Sequence, residues 1–223
     1  NKDSEVLWNS AAIFVKINRV IKFSKNEKFQ NIFEYLEIAN ILEKKAQEKD
    51  WYVKAKAIWL SYEFELEKNN QVIIPFRDDD HTLLRRESQI GLVSFIGWKS
   101  LVFFPYVTHP MSLWQQIRIL EKLEETDDEL ALQYLEKALL SDNEIIKELL
   151  VRIIKKFKLK KYKNYVVEQL FTNNVKLINV ALETLKYFEI GKEEIVRIKK
   201  QIPENIKPHY KYKIFNTLQL LTN

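Results

Sequence analysis

The sequence predicts an all-α fold, a right-handed α-solenoid of stacked helix pairs with a helical cap at each end. Three observations favour this architecture: an apolar helical stripe that recurs along the chain, capping residues near the starts of several helices, and few turn formers. Of 223 residues only 3 are Gly and 5 are Pro, whereas all-β folds depend on turns rich in these residues. A chain that is 46% hydrophobic and 30% charged has the composition of a globular protein.

The apolar stripe recurs in three segments, which begin at Ser112, Asn143 and Asn174. Three sets of positions align at a spacing of 31 residues, and each segment has the i, i+1, i+4 pattern of a helix with one buried face. The aligned sets are Ile119, Leu150 and Ala181; Leu120, Val151 and Leu182; and Leu123, Ile154 and Leu185. Second helices are predicted over 129–140, 161–171 and 191–202, so the repeating unit is a helix pair.

A looser form of the same unit precedes these segments. First helices are predicted over 50–65 and 80–95, each followed by a short second helix, the later one over 98–104. The tails of these units contain Pro75 and Pro105, which are 30 residues apart. Because proline lacks the amide donor and clashes with the preceding turn, it ends a helix. Proline at this interval therefore indicates successive units.

Helix-capping boxes of the form Ser/Thr-x-x-Glu/Gln support these helix starts, because the N-cap hydroxyl accepts a hydrogen bond from the backbone of the first turn. The boxes are Ser24/Glu27, Ser112/Gln115, Thr126/Glu129 and Ser141/Glu144. Asp79 or Asp80 is expected to cap the helix that begins before Leu83.

The ends of the chain are expected to be caps. A terminal repeat would otherwise expose its apolar face. The less regular residues 1–49, with apolar helical patterns over 6–23 and 28–47, are predicted to form an N-terminal helical cap. Residues 50–202 form the repeats, and residues 203–223 form a C-terminal capping helix.

The helix-pair period and the short polar turns resemble HEAT-type repeats over roughly residues 50–202. The segments 84–93, 97–101 and 112–117 resemble a group of bacterial HEAT-repeat proteins in which a cytoplasmic repeat domain follows an N-terminal membrane helix. The resemblance implies a cytoplasmic domain, tethered to the inner membrane through a segment absent from this chain. The chain begins Asn-Lys-Asp without Met, which agrees with an anchor that has been removed.

Several kinds of chemistry are disfavoured. The chain contains no Cys, so disulfides, thiolate metal sites and a cysteine nucleophile are excluded. With 3 Gly it has little material for a glycine-rich phosphate loop. His81, His109 and His209 show no metal-ligand spacing on a helix, and the acidic run 78–80 before His81 is expected to cap a helix rather than bind a cation. We therefore predict no catalytic residue, cofactor or metal.

The aromatic and arginine side chains are expected to be structural. The five tryptophans are predicted to pack in the core or between repeats. They are Trp8, Trp51, Trp59, Trp98 and Trp114. Of Arg85 and Arg86, one is expected to pair with a carboxylate across the turn.

Positive charge is concentrated towards the C-terminus. Residues 151–223 carry 16 basic and 6 acidic side chains, whereas residues 111–150 carry 4 and 10. The densest basic run is the candidate anion-binding patch: Lys155, Lys156, Lys158, Lys160, Lys161 and Lys163. No acidic residue lies within the run, so its charges are expected to be unneutralised. It is either a solvated helix end or a surface for nucleic acid, an anionic membrane or an acidic protein.

Stacked helix pairs form extended concave surfaces that usually bind other macromolecules. By this analogy of fold, we predict a non-catalytic protein–protein interaction scaffold without a small-molecule substrate. The alternative is a nucleic-acid-binding protein. The chain is similar to the HEAT-like alkylpurine DNA glycosylases in its helical character, length and basic charge. Those enzymes use Trp and Asp near the lesion, and here the sequence shows no convincing pair of that kind.

Overall fold

A computed structural model describes residues 2–21, 27–126, 131–188 and 190–220. Within these ranges the regular structure is helical and contains no β-strand, which confirms the predicted all-α class. The chain divides into two compact units. The first is Asn1–Leu101 with Val107–Leu132, and the second is Val102–Tyr106 with Gln133–Asn223.

The described part of the first unit contains seven α-helices. They are α1 (Lys2–Ile21), α2 (Glu27–Tyr35), α3 (Ile38–Ala46), α4 (Trp51–Glu63), α5 (Asn70–Ile73), α6 (Thr82–Ile96) and α7 (Leu113–Glu125). α3 packs against α4, α4 against α6, and α6 against α7. The faces of α4, α6 and α7 therefore lie next to one another although they are far apart in sequence.

The second unit also consists of α-helices that pack against one another. Its helices are α8 (Leu132–Leu139), α9 (Glu144–Lys156), α10 (Lys163–Glu168), α11 (Val175–Leu185), α12 (Lys192–Gln201) and α13 (Pro208–Leu220). α11 packs against α9, α10 and α13. A continuous apolar cluster fills this unit, with Val151 and Ile154 from α9 and Leu182 and Leu185 from α11.

The aligned stripe positions are buried as the sequence predicts. Of the nine residues that align at the spacing of 31, eight are buried. Leu120 is partly exposed. One helical turn after the last aligned set, Phe157 and Phe188 align at the same spacing of 31 residues. Phe188 is also buried. The apolar face of each first helix is therefore identified correctly.

The predicted N-cap at Ser112 is confirmed, and the predicted N-cap at Ser141 is wrong. The Ser112 hydroxyl accepts a hydrogen bond from the Gln115 amide at 3.2 Å. Ser141 does not cap α9, because Asn143 lies nearer the first turn and is an equally good cap. The Asn143 side-chain oxygen accepts from the Ile145 amide at 3.0 Å. The boxes at Ser24 and Thr126 each include a residue outside the described ranges.

The predicted aspartate cap of α6 is also wrong. The N-cap residue is His81, and its side chain makes no capping hydrogen bond. Asp79 instead accepts from the His81 amide at 2.8 Å, while Asp80 is exposed. Asp78 accepts from the Thr108 amide at 3.0 Å and from its hydroxyl at 2.7 Å, so it ties two turns of the first unit together.

Two segments that are predicted to be continuous helices are interrupted or irregular in the structure. The pattern over 28–47 divides into α2 and α3 at Glu37, whose φ of 50° is incompatible with a continuous helix. The second helix predicted over 98–104 consists of 3-10 turns, Gly97–Val102 and Phe104–Tyr106.

In the described part of the chain, no helix combines the length and the apolar character needed to cross a membrane.

Candidate functional site

The first unit contains a cavity of about 370 Å³ whose walls are aromatic and charged. Its aromatic lining residues are Tyr52, Trp59, Tyr62 and Trp114, and its charged ones are Lys56, Arg86, Glu87 and Arg118. The α4 members recur every three or four residues and so share one helix face. Because α4 packs against α6, and α6 against α7, three such faces converge on the cavity.

A buried carboxylate lies in the cavity wall. Glu87 is 5% exposed. The Tyr62 hydroxyl donates to its Oε2 at 2.6 Å, and Arg86 donates to its Oε1 from Nε at 2.9 Å and Nη2 at 2.7 Å. Burial, and then the negative charge of Glu87, raise the pKa of Tyr62 well above its usual value. Both oxygens of Glu87 are thus already occupied by donors, as a buried carboxylate requires.

Arg118 joins the cavity to a second buried acid. Its Nη2 donates to Glu63 Oε1 at 3.2 Å and its Nη1 donates to Glu121 at 2.6 Å. Glu63 is buried, whereas Glu121 is partly exposed. The guanidinium is therefore neutralised by residues of α4 and of its own helix.

Lys56 differs from the two arginines because no carboxylate neutralises it among the described residues. Its ammonium donates to the Trp8 carbonyl at 3.1 Å and lies 4.1 Å from the centre of the Trp8 ring. Lys45 approaches the same ring at 5.5 Å. Partial burial, and then repulsion by Lys45, lower the pKa of Lys56.

The rim of the cavity exposes large aromatic rings. Tyr52 is 59% exposed and Trp114 is 50% exposed. The Arg86 guanidinium lies 4.7 Å from the centre of the Trp114 ring. Tryptophan, tyrosine and arginine on an accessible surface are the residues that most often carry binding energy in protein interfaces.

The predicted packing of the tryptophans holds for three of the five. Trp98 is buried, and Trp8 and Trp59 pack against the core of the first unit. The prediction is wrong for Trp51 and Trp114, which are about half exposed. Trp51 stacks on His81 with a ring separation of 4.3 Å. Each ring lies in the first turn of its helix, where fewer neighbours cover it.

An arginine–carboxylate pair is present, but Arg86 forms it with the adjacent Glu87 of its own helix rather than across the turn. Arg85 instead donates to the backbone carbonyls of Asp79 and Asp80. Nowhere in the described ranges do three His, Asp or Glu side chains group as a metal site would require.

The basic run extends from the end of α9, through the turn that follows it, to the first residue of α10. The expectation that its charges are unneutralised is wrong. Three of its lysines each pair with a glutamate distant in sequence. The pairs are Lys155 with Glu183 at 2.9 Å, Lys161 with Glu136 at 2.8 Å and Lys163 with Glu194 at 2.7 Å. Lys156, Lys158 and Lys160 are exposed. If this run faces an anionic partner, these three are its accessible members.

Reversing the charge of the three exposed lysines tests this patch. We expect Lys156→Glu, Lys158→Glu and Lys160→Glu together to weaken binding to vesicles of phosphatidylcholine and phosphatidylserine at low salt, because each basic residue near an anionic surface contributes ~1 kcal/mol. The control reverses three exposed lysines elsewhere in the second unit, Lys176, Lys186 and Lys207. Unchanged vesicle binding would identify the run as a solvated helix end.

The fold and the site together define an all-helical protein with an aromatic and basic cavity between packed helices. No protein-family model matches the sequence, and neither does any curated protein. The resemblance to HEAT repeats accordingly stays a prediction from sequence.

Proposed function

We propose that this protein is a non-catalytic interaction scaffold whose first unit docks a protein partner at the cavity. The observation that supports this proposal is the accessible rim of Tyr52 and Trp114 around a concave site that also contains Arg86 and Arg118. Interfaces concentrate their binding energy in such aromatic and arginine side chains, set in or near a pocket.

The helix pairs are proposed to form HEAT-like repeats in a right-handed solenoid. The support is the order of packing inside each unit, since α4, α6 and α7 are successive neighbours in the first, and α9 and α11 are neighbours in the second. A cytoplasmic location with a tether at the inner membrane is part of the same proposal, and it rests on the resemblance to anchored bacterial proteins.

The charges around the cavity favour a protein partner over a nucleic acid. Arg86 is paired with Glu87, and Arg118 with Glu63 and Glu121. Nucleic-acid binding depends on cations that are free to neutralise phosphates. The two arginines are therefore not available to neutralise a phosphate backbone.

The second candidate is a nucleic-acid-binding protein. Two observations favour it: the net charge of +10 over residues 151–223, and tryptophan rings in a cavity with guanidinium groups, which could stack an unpaired base. Binding of this kind falls steeply with salt, because phosphate contacts release counterions. A titration of single- and double-stranded DNA at increasing salt therefore separates the two candidates.

Photo-crosslinking at the cavity rim tests protein docking. We replace Tyr52 with p-benzoylphenylalanine and irradiate cells that contain the full chain. The expected result is a discrete protein adduct that is reduced when Trp114→Ala is added. The matched control carries the same crosslinker at Tyr35, an exposed aromatic residue of the first unit outside the cavity. Equal adducts at both positions, or adducts with nucleic acid only, would overturn the proposal.

A further inference from the structure

We infer that the cavity of the first unit binds the C-terminal residue of the partner chain, with the terminal carboxylate at Lys56 and an aromatic or large apolar side chain among the rings. This inference rests on the proposed docking function and gives it a chemistry. Three features of the cavity support it: its surplus of hydrogen-bond donors, its uncompensated cation and its size.

The cavity offers donors but few free acceptors. Both oxygens of Glu87 already accept hydrogen bonds, from Tyr62 and Arg86. Of the three N–H groups of the Lys56 ammonium, one donates to the Trp8 carbonyl. Arg86 donates to Glu87 through Nε and Nη2, and its Nη1 makes no hydrogen bond within the described part of the chain. A ligand that fits these groups is an acceptor.

Because no carboxylate of the described residues pairs with Lys56, we expect that acceptor to be an anion. Its ammonium lies beside a second cation, Lys45, above the ring of Trp8, and Lys45 has its own partner in Glu48 at 2.7 Å. A carboxylate at Lys56 would add a charge-assisted hydrogen bond where the protein supplies only a carbonyl. The partial burial of Lys56 makes such a bond stronger than it would be in open water.

The aromatic walls and the volume specify the rest of the ligand. Trp59, Tyr52 and Trp114 provide ring faces for a flat apolar group. The volume of about 370 Å³ lies at the small end of the ~300–1,000 Å³ found for ligand pockets. It suits one large residue rather than a length of chain. A chain terminus presents its ring and its carboxylate on the same residue, so we assign the site to a terminus.

The experiment uses small probes that share one ring and differ in charge. N-acetyl-L-tryptophan carries the terminal carboxylate, and N-acetyl-L-tryptophanamide is its neutral counterpart. Each is titrated into the full ¹⁵N-labelled protein while the indole N–H resonances of Trp59 and Trp114 are followed. We expect the acid to bind about tenfold more tightly than the amide, as is usual for a hydrogen bond between charged groups. Equal affinities, or tighter binding of the amide, would overturn the inference.

Two variants test whether Lys56 is responsible for the preference for the acid. Lys56→Gln should abolish it, so that the acid and the amide bind with equal affinity. The matched control is Lys54→Gln, in the same helix, because Lys54 lies 5.3 Å from the Phe76 ring and does not line the cavity. The control should retain the preference. An acid preference that survives Lys56→Gln would contradict the assigned role of this lysine.

A third probe identifies the source of the carboxylate. N-acetyl-L-aspartyl-L-tryptophanamide carries the carboxylate on a side chain and has a neutral terminus. If it binds as tightly as N-acetyl-L-tryptophan, the assignment to a chain terminus is wrong. If the docking proposal fails and this inference holds, the crosslink at Tyr52 is lost while the preference for the acid persists. A crosslink that forms without any acid preference leaves docking in place and rejects this inference.

Discussion

Leu150→Ala and Leu182→Ala should each lower the free energy of unfolding by about 2–5 kcal/mol, because each removes buried methyl groups and leaves a cavity that close packing cannot fill. Leu150 is fully buried in α9, and Leu182 is 2% exposed in α11, the helix that packs against α9. Urea unfolding followed by circular dichroism measures the loss.

The control for these core substitutions is Leu140→Ala. Leu140 lies just beyond the end of α8 and is 85% exposed, so the same chemical change should cost within about 0.5 kcal/mol. Losses below about 0.5 kcal/mol at both Leu150 and Leu182 would show that the aligned stripe does not form the core of the second unit.

Glu87→Ala should destabilise the protein by about 1–3 kcal/mol, the usual cost of leaving a buried hydrogen-bonding group unpaired. The substitution leaves the buried Tyr62 hydroxyl without its acceptor and leaves Arg86 without its counterion. Chemical unfolding of the full chain gives the value. Glu34→Ala is the control, since Glu34 is an exposed glutamate of the first unit, and its loss should have little effect.

A double-mutant cycle shows whether the effect comes from the Tyr62–Glu87 hydrogen bond. Tyr62→Phe should cost less in the Glu87→Ala background than in the natural protein, because the hydroxyl then has no carboxylate to lose. Strictly additive costs would contradict the coupling that the 2.6 Å contact implies. A Glu87→Ala protein as stable as the natural one would show that the network contributes nothing to the fold.

Helix existence and buried faces were predictable because both depend on local sequence. The i, i+1, i+4 stripes around Leu150 and Leu182 coincide with the buried faces of α9 and α11, since helical periodicity repeats within a few residues. Helix starts were predicted less well. Ser141 and Asn143 are both good caps two residues apart, and only the backbone geometry decides which of them meets a free amide.

The break between α2 and α3 was not predictable from the pattern. Glu37 adopts φ of 50°, a conformation that favours glycine, so its sequence gives no warning of a turn. The packing of Ile38, Ala39 and Leu42 against α4 compensates for this local cost. Here tertiary contacts prevail over local preference.

By itself the sequence determined that the chain is helical, which face of each repeating helix is apolar, and where positive charge accumulates. Only the tertiary structure decided how the charges are partnered. Lys155 and Glu183 are 28 residues apart, and Glu87 and Tyr62 are 25 residues apart, so no local pattern could reveal these pairs. The cavity has the same origin. It exists because α4, α6 and α7 bring separate faces together. Packing also places Lys56 beside Trp8 and Lys45, where no carboxylate of the described residues pairs with it.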